Sequence, residues 1–407
     1  MHTMAEMTTA KPPLPDGLVA IVKEDCPTCV LVAPVLADLA DRASMTTITQ
    51  DNAAFPQVAD WVVHDHDLAY SWFHEIDTVP TLLRVVGGEP TERLEGWKRE
   101  DWEAFTGVDG LGVDLPDWRP GCGSLSVDPN RTDELAVRFS GSTMSSRRVE
   151  IAALEDEWEA LYDRDWSDGL PVVPPTEARV LRMLEGTTRA PDEIVAVVPP
   201  DLADVTVEKI AINAVMAGCR SDYFPIILKA VEALAETDFN LRGVQTTDEN
   251  VTPLILVNGP IARQIGMNDG FGCLGPGWRA NATIGRAIRL VMQNIGGGWP
   301  AVVAFAGLGQ PGRYTLCFSE NEAQSPWDPL HVDAGFRADQ NIVTVLRAES
   351  AINVTGGLEE VASVMGSAAS AFSWLHGGIV TVAISPATAE ALVKEGVSKE
   401  EARKWLH

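Results

Sequence analysis

Cys26 and Cys29 are the residues of this chain whose spacing most directly implies chemistry. They stand in Asp25-Cys26-Pro27-Thr28-Cys29, after the apolar run Gly17–Lys23 and before a helical pattern of Val32, Val35, Leu36, Leu39 and Ala40. A Cys-x-x-Cys at a strand-to-helix junction puts the first thiol at the helix N-terminus. Free backbone N–H groups and the helix dipole favour the thiolate there. Cys26 is then the exposed nucleophile, and Cys29, one turn on, is the thiol that resolves a mixed disulfide. Half of a zinc site is the rival reading of the same spacing. With no second Cys-x-x-Cys or Cys/His pair at ligand spacing, no metal is expected.

The other cysteines are candidates of a different kind. Cys122 lies in Pro120-Gly121-Cys122-Gly123-Ser124, an irregular stretch, and is read either as a mobile thiol or as an incidental linker residue. Cys219 follows Gly218, which reads as a helix terminator, so it is expected at an element end with some thiolate character from Arg220. A plain loop cysteine is the alternative. Cys273 sits in a loop with Gly270, Gly272, Gly275 and Gly277, and Cys317 reads as a core residue of a strand. After that loop, Ala280 or Asn281 opens a helix whose N-terminus, with Arg279 and Arg286, is a natural anion site. Arg220, Gly272, Gly275, Gly277, Arg279 and Asn281 are therefore the candidate substrate-binding residues, against a purely structural loop. The loop is neither a P-loop nor a dinucleotide fingerprint, and no cofactor is expected. His376, before Gly377-Gly378, is a candidate acid–base residue at a helix end or a capping histidine. Glu320 and Glu322 would serve proton transfer or simply face solvent.

The elements that must position these residues alternate. The first segment reads β-α-β-α-β-β-α, with strands at 17–23, 46–49 and 82–86, a helix over 57–73, a hairpin turned by Gly87-Gly88, and a closing helix from Arg99. Periodicity fails from 108 to 147, and a helix is expected over 148–163. Strands are then expected near 194–198, 254–257, 314–318, 342–347 and 379–384. Helices are expected near 205–217, 225–236, 280–294 and 358–375. The domain reading is thus 1–107, a linker region over 108–165, and a larger α/β domain of mixed strands and helices over 166–407.

Composition narrows the partners. The 407 residues carry a formal net charge of −27, which repels nucleic acid and anionic lipid. No apolar run of about 18 residues is present, so no membrane span is expected. The first residues lack the basic-then-apolar order of a secretion signal, so a cytoplasmic setting with reduced thiols is expected. A homo-oligomer is compatible with all of this.

Residues 14–107 resemble the thioredoxin superfamily. Pro34 matches the proline of that family's active-site helix. Val79-Pro80-Thr81 matches the cis-proline loop that faces the dithiol, which adds Pro80 to the catalytic set and implies a cis bond there. Gly87-Gly88 and Gly96 fall where the family turns its last hairpin. Asp25 replaces the tryptophan that usually precedes the first cysteine, and its carboxylate is expected to disfavour the thiolate somewhat. Asp168–Thr176, Ala211–Cys219, Leu274–Arg289 and Ser385–Trp405 resemble a largely uncharacterised bacterial (seleno)protein family with a Sec/Cys-Gly-Ser-Cys motif, called UGSC. Cys122-Gly123-Ser124 is similar to its start, and Leu125 replaces its last cysteine.

These resemblances imply thiol or selenol redox chemistry. The expected function is a thiol-dependent oxidoreductase. Cys122, Cys219 or Cys273 attacks a soft electrophilic small molecule, and the fused Cys-x-x-Cys segment re-reduces it at high effective concentration. A cellular thiol reductant or thioredoxin-reductase-type donor would supply electrons. A ligand- or metal-binding redox sensor and a protein disulfide reductase are the alternatives.

Overall fold

The computed structural model describes residues 10–152, 155–367 and 380–407. The chain is α/β and divides into two units, Met1–Ser142 and Thr143–His407. In the first, β1 (Gly17–Val22) leads into α1 (Pro27–Ala43), and β2 (Thr46–Thr49) and β3 (Val62–His64) follow. Then come α2 (Ala69–Phe73), β4 (Thr78–Val79), β5 (Thr81–Val86) and β6 (Glu89–Glu95). The unit closes with β7 (Trp97–Lys98), α3 (Arg99–Thr106), β8 (Trp118–Arg119), β9 (Cys122–Gly123) and α4 (Thr132–Phe139).

The main sheet has the order β3-β2-β1-β5-β6. β1, β2 and β3 are parallel, while β5 and β6 join antiparallel. β1 is buried along nearly its whole length because the sheet is covered there, which is why it reads as an unbroken apolar run. Val32, Val35, Leu36 and Leu39 of α1 pack into the core with Trp97 and Trp102. Each buried indole finds a carbonyl, Trp97 at Pro116 and Trp102 at Gly96, so neither N–H is stranded.

Two expectations fail here for visible reasons. Residues 57–73 do not form one helix: Val62–His64 pairs with β2, and only Ala69–Phe73 is helical. The break is held by Asp65, whose buried carboxylate accepts from Tyr70 N, Ser71 N and Ser71 Oγ. Nor is 108–142 a free connection. Leu111 is fully buried in the first core, β8 and β9 pair with β7 and β4, and Leu135 and Phe139 pack on Leu68 and Ala69.

The second unit begins with α5 (Glu157–Tyr162), α6 (Glu177–Leu184), β10 (Ile194–Val198) and β11 (Ala203–Thr206). It continues through α7 (Val207–Ala217), α8 (Phe224–Ala235), α9 (Leu241–Thr246), β12 (Thr252–Asn258), α10 (Pro260–Gln264) and α11 (Arg279–Asn294). β13 (Cys317–Ser319), α12 (Leu330–Asp333), β14 (Ile342–Ala348), α13 (Leu358–Met365), α14 (Pro386–Lys394) and α15 (Lys399–Leu406) complete it. β12 lies between β13, parallel, and β14, antiparallel, and α7, α8 and α11 supply much of the buried core.

The helix expected over 148–163 is confined to Glu157–Tyr162, capped by Asp156. Upstream, the backbone N–H groups of Ser145 and Ser146 are spent on the Glu208 carboxylate. The strand expected near 314–318 starts at Cys317, after a turn at Pro311–Arg313. Residues 380–384 form no regular strand, and the end of the helix expected over 358–375 lies outside the described residues. Among the described residues, no helix is long and apolar enough to cross a membrane.

Candidate functional site

Cys26 caps α1. Its backbone is extended (φ −141°), Pro27 takes the first helical position without a wasted N–H, and Cys29 N donates to Cys26 Sγ at 3.3 Å. As a thiol, Cys26 donates to Val79 O at 3.5 Å. Val79 directly precedes Pro80, and the Val79–Pro80 bond is cis, as the resemblance implied.

A third thiol joins them. β9 runs antiparallel to β4, with Cys122 opposite Val79 and Gly123 opposite Thr78. Cys122 therefore belongs to the first unit, beside Cys26, and is no linker residue between domains. The strap 118–127 is fastened on both sides of it. Thr28 Oγ1 donates to Pro120 O (2.7 Å), and Ser124 N donates to Asp77 O (2.9 Å). Gln50, itself buried, donates Nε2 to Ser124 Oγ (2.6 Å) and accepts from Leu125 N (3.0 Å), while Ser126 Oγ donates to Ile76 O. Gly121 lies so close to β4 that a Cβ there would stand 2.3 Å from Thr78 Cγ2 and 2.9 Å from Val79 O.

These surroundings separate the three thiols. Cys26 is drawn from the ordinary thiol value down to about 5, first through the Cys29 thiol. Burial opposes this, and the Cys122 thiol and the backbone N–H groups of Cys29 and Thr28 add to it. Burial, and next the Cys26 sulfur, push Cys29 far up; the same two causes raise Cys122. The thiolate expected at Cys26 thus forms despite Asp25. Its expected exposure does not: Cys26 and Cys29 are both fully buried, and Cys122 is the thiol of the cluster that reaches solvent.

The second unit places its candidates differently. Cys219 is buried, donates to Thr283 O at 3.2 Å, and is pushed up to about 12 by burial, which hydrogen bonding with Thr283 and, after it, Arg279 and Arg286 only partly offset. The thiolate character expected from Arg220 is absent; Arg220 is exposed and pairs with Asp222. Burial also raises Cys273, and it raises the core cysteine Cys317 further. Asn281 holds the glycine loop closed, accepting from Asn268 N and donating to Asn268 O and Cys273 O. Gly272 and Gly277 take positive φ (71° and 121°) within that loop, and Gly275 N bonds back to Gly272 O. Arg279 Nε donates to Gly218 O.

Arg286 is not a free cation: Asp168 accepts from it at 2.9 and 2.7 Å. Glu320 and Glu322 do not simply face solvent, because both accept from Asn258 Nδ2 at 2.8 Å. His376 lies outside the described residues. Among the described residues, no group of His, Cys, Asp and Glu is placed to hold a metal ion.

Sequence reasoning missed the meeting of Cys122 with Cys26. Its signal was the tripeptide Gly121-Cys122-Gly123, whose small flanking residues suit close approach of one backbone to another. No family model matches the chain, and no curated protein or solved structure matches it either.

Proposed function

We propose that the chain is a thiol-dependent oxidoreductase whose working set is Cys122, Cys26 and Cys29, acting on a small molecule with a sulfur-based leaving group. The observation that carries this reading is a buried Cys26 thiolate flanked by Cys29 and by Cys122, the one thiol of the three in reach of solvent. Cys122 thereby takes the attacking role that was open to Cys219 and Cys273, because it is the one of the three that lies beside the Cys26–Cys29 pair. The likeness of residues 14–107 to thioredoxins and a cytoplasmic setting belong to the same proposal.

For a disulfide R–S–S–R, Cys122 attacks one sulfur and passes its proton to the Cys26 thiolate. This forms Cys122–S–S–R and releases RS⁻, which takes that proton. Cys26 then attacks the Cys122 sulfur and expels the second RS⁻, which is protonated by water. Cys29 attacks Cys26 and hands its proton to the leaving Cys122. The Cys26–Cys29 disulfide is finally reduced by an external dithiol. The net reaction converts R–S–S–R and a dithiol into the two RSH molecules and the oxidised donor.

A small substrate is favoured over a protein client because β9 already occupies the edge of β4, where an extended peptide would pair. The test is Cys29→Ser treated with hydroxyethyl disulfide and mapped by mass spectrometry. The expected product is a Cys26–Cys122 disulfide with both halves of the reagent released. A reagent adduct on Cys26, with Cys122 still free, would overturn the order of events. Stoichiometric binding by the unaltered chain, without turnover when a dithiol is supplied, would favour the sensor.

A further inference from the structure

Helix α11 of the second unit presents Asn281, Gly285, Arg289 and Gln293 at four-residue intervals, so they form one stripe, and all four are buried. A polar stripe on a buried helix face must be satisfied residue by residue. Asn281 is spent on the backbone of Asn268 and Cys273. Gly285 leaves room for residues 315–316: a Cβ there would stand 2.4 Å from Thr315 Oγ1 and 3.0 Å from Leu316 N. Gln293 donates Nε2 to Ser167 O, which turns its Oε1 toward Arg289.

Arg289 is the one charge on the stripe and only 9% exposed. Its Nη2 donates to Gln293 Oε1 and to Gly298 O, both at 3.1 Å and both neutral. Among the described residues, no carboxylate lies within ion-pair distance of it. Asp168, whose charge does reach it, is already committed to Arg286 through two hydrogen bonds.

A second guanidinium belongs to the segment that packs against this stripe. Arg313 ends the turn Pro311–Arg313, just ahead of Thr315, whose hydroxyl donates to Asn281 O against the same helix face. Arg313 also lacks a carboxylate partner within ion-pair distance among the described residues. Burial lowers both guanidinium pKa values, that of Arg289 to about 10; the charge of Arg313 lowers Arg289 further, while Asp168 and Glu349 partly offset the fall at Arg289 and Arg313 respectively. Cations drawn from water are ordinarily met by an anion at contact distance, whereas Asp168 reaches the buried Arg289, and Glu349 the half-buried Arg313, only through longer-range charge.

We infer that Arg289 and Arg313 form an anion site in the second unit that takes the carboxylate or phosphate group of a small molecule. A guanidinium suits this because its planar fork of N–H donors matches both groups in a paired geometry. In Arg289 the Nε and Nη1 donors remain available for that pairing, since its hydrogen bonds to protein run through Nη2. The site is distinct from the glycine loop, where Arg279 and Asn281 are occupied by backbone carbonyls. It also stands independently of any turnover at the thiols.

The test is thermal unfolding of the full chain in inorganic phosphate, in acetate, and in sodium chloride at matched ionic strength. A saturable rise in midpoint with phosphate or acetate, beyond chloride, is expected; which anion saturates at lower concentration identifies the group preferred. Arg313→Gln should weaken that binding by about tenfold, and Arg289→Met should abolish it. Arg279→Gln should leave it intact. No saturable rise with either anion overturns the site, as does a rise that Arg313→Gln leaves unchanged. Should Arg289→Met not fold, Arg313→Gln decides alone.

Discussion

Cys26 in the first unit and Cys219 in the second are both buried cysteines at a helix end, yet they are shifted in opposite directions. Cys26 is at an N-terminus and receives: Cys29 N points at its sulfur, and the Cys29 and Cys122 thiols face it. Cys219 follows the C-terminal end of α7 and gives, its thiol donating to Thr283 O. The first is drawn down to about 5 and the second pushed up to about 12. Burial alone therefore silences a thiol in this protein, and burial supplied with donors activates one. Neighbouring cations prove a weaker lever than the same-sheet geometry that brings Cys122 to Val79, since Arg279 and Arg286 do not rescue Cys219.

The sharpest way to break this contrast is to delete each thiol in turn. Cys26→Ser should lower turnover of hydroxyethyl disulfide, measured with excess dithiol, by about three orders of magnitude. Cys219→Ser should change it by less than about twofold, because a buried cysteine held as a thiol supplies no nucleophile. Equal losses in the two variants would place Cys219 in the reaction and dissolve the distinction.

Local features of the chain were legible and distant pairings were not. Cys26, Pro27 and Cys29 declare a strand-to-helix junction within a few residues, and α1 forms there. The β5–β6 hairpin and α11 are equally local, turned by Gly87-Gly88 and carried by periodicity. Cys122 reads as a linker thiol because nothing near it in sequence shows that it will pair with Val79. Arg286 reads as a free cation in the sequence because Asp168, its partner, is 118 residues away. Residues 57–73 read as helical because the apolar spacing outweighs three aspartates on paper. Once Asp65 is buried, its three accepted hydrogen bonds decide the backbone path instead.

A milder perturbation addresses the strap itself. Gly121→Val would drive a branched side chain into Thr78 and the Val79 carbonyl. Overpacking of this kind costs about 1–3 kcal/mol, measurable by chemical denaturation. If the strap is what hides Cys26, the same variant should raise the rate at which iodoacetamide modifies Cys26. Cys219 and Cys317 should remain as slow as before. Faster modification of all the cysteines together would mean global loosening, and the contrast between the units would then rest on stability rather than on donors.

The smallest effect expected is also the most specific, a shift in where Cys26 titrates. Thiolate absorbance near 240 nm, followed on the reduced chain, should show Cys26 ionised from the ordinary thiol range down to about 5. Because the folded value lies below the unfolded one, the ionised thiol adds to stability. That contribution is complete above the ordinary thiol value and is lost as pH falls through about 5. Cys122→Ala removes the weaker of the two thiol partners, so the titration should move upward and this window should narrow. Cys29→Ala removes the stronger one and should move it further. The order matters more than the size, because it ranks Cys29 above Cys122 as the source of the Cys26 charge. A titration that Cys122→Ala leaves where it was would show that Cys122 merely covers Cys26 and does not help to ionise it.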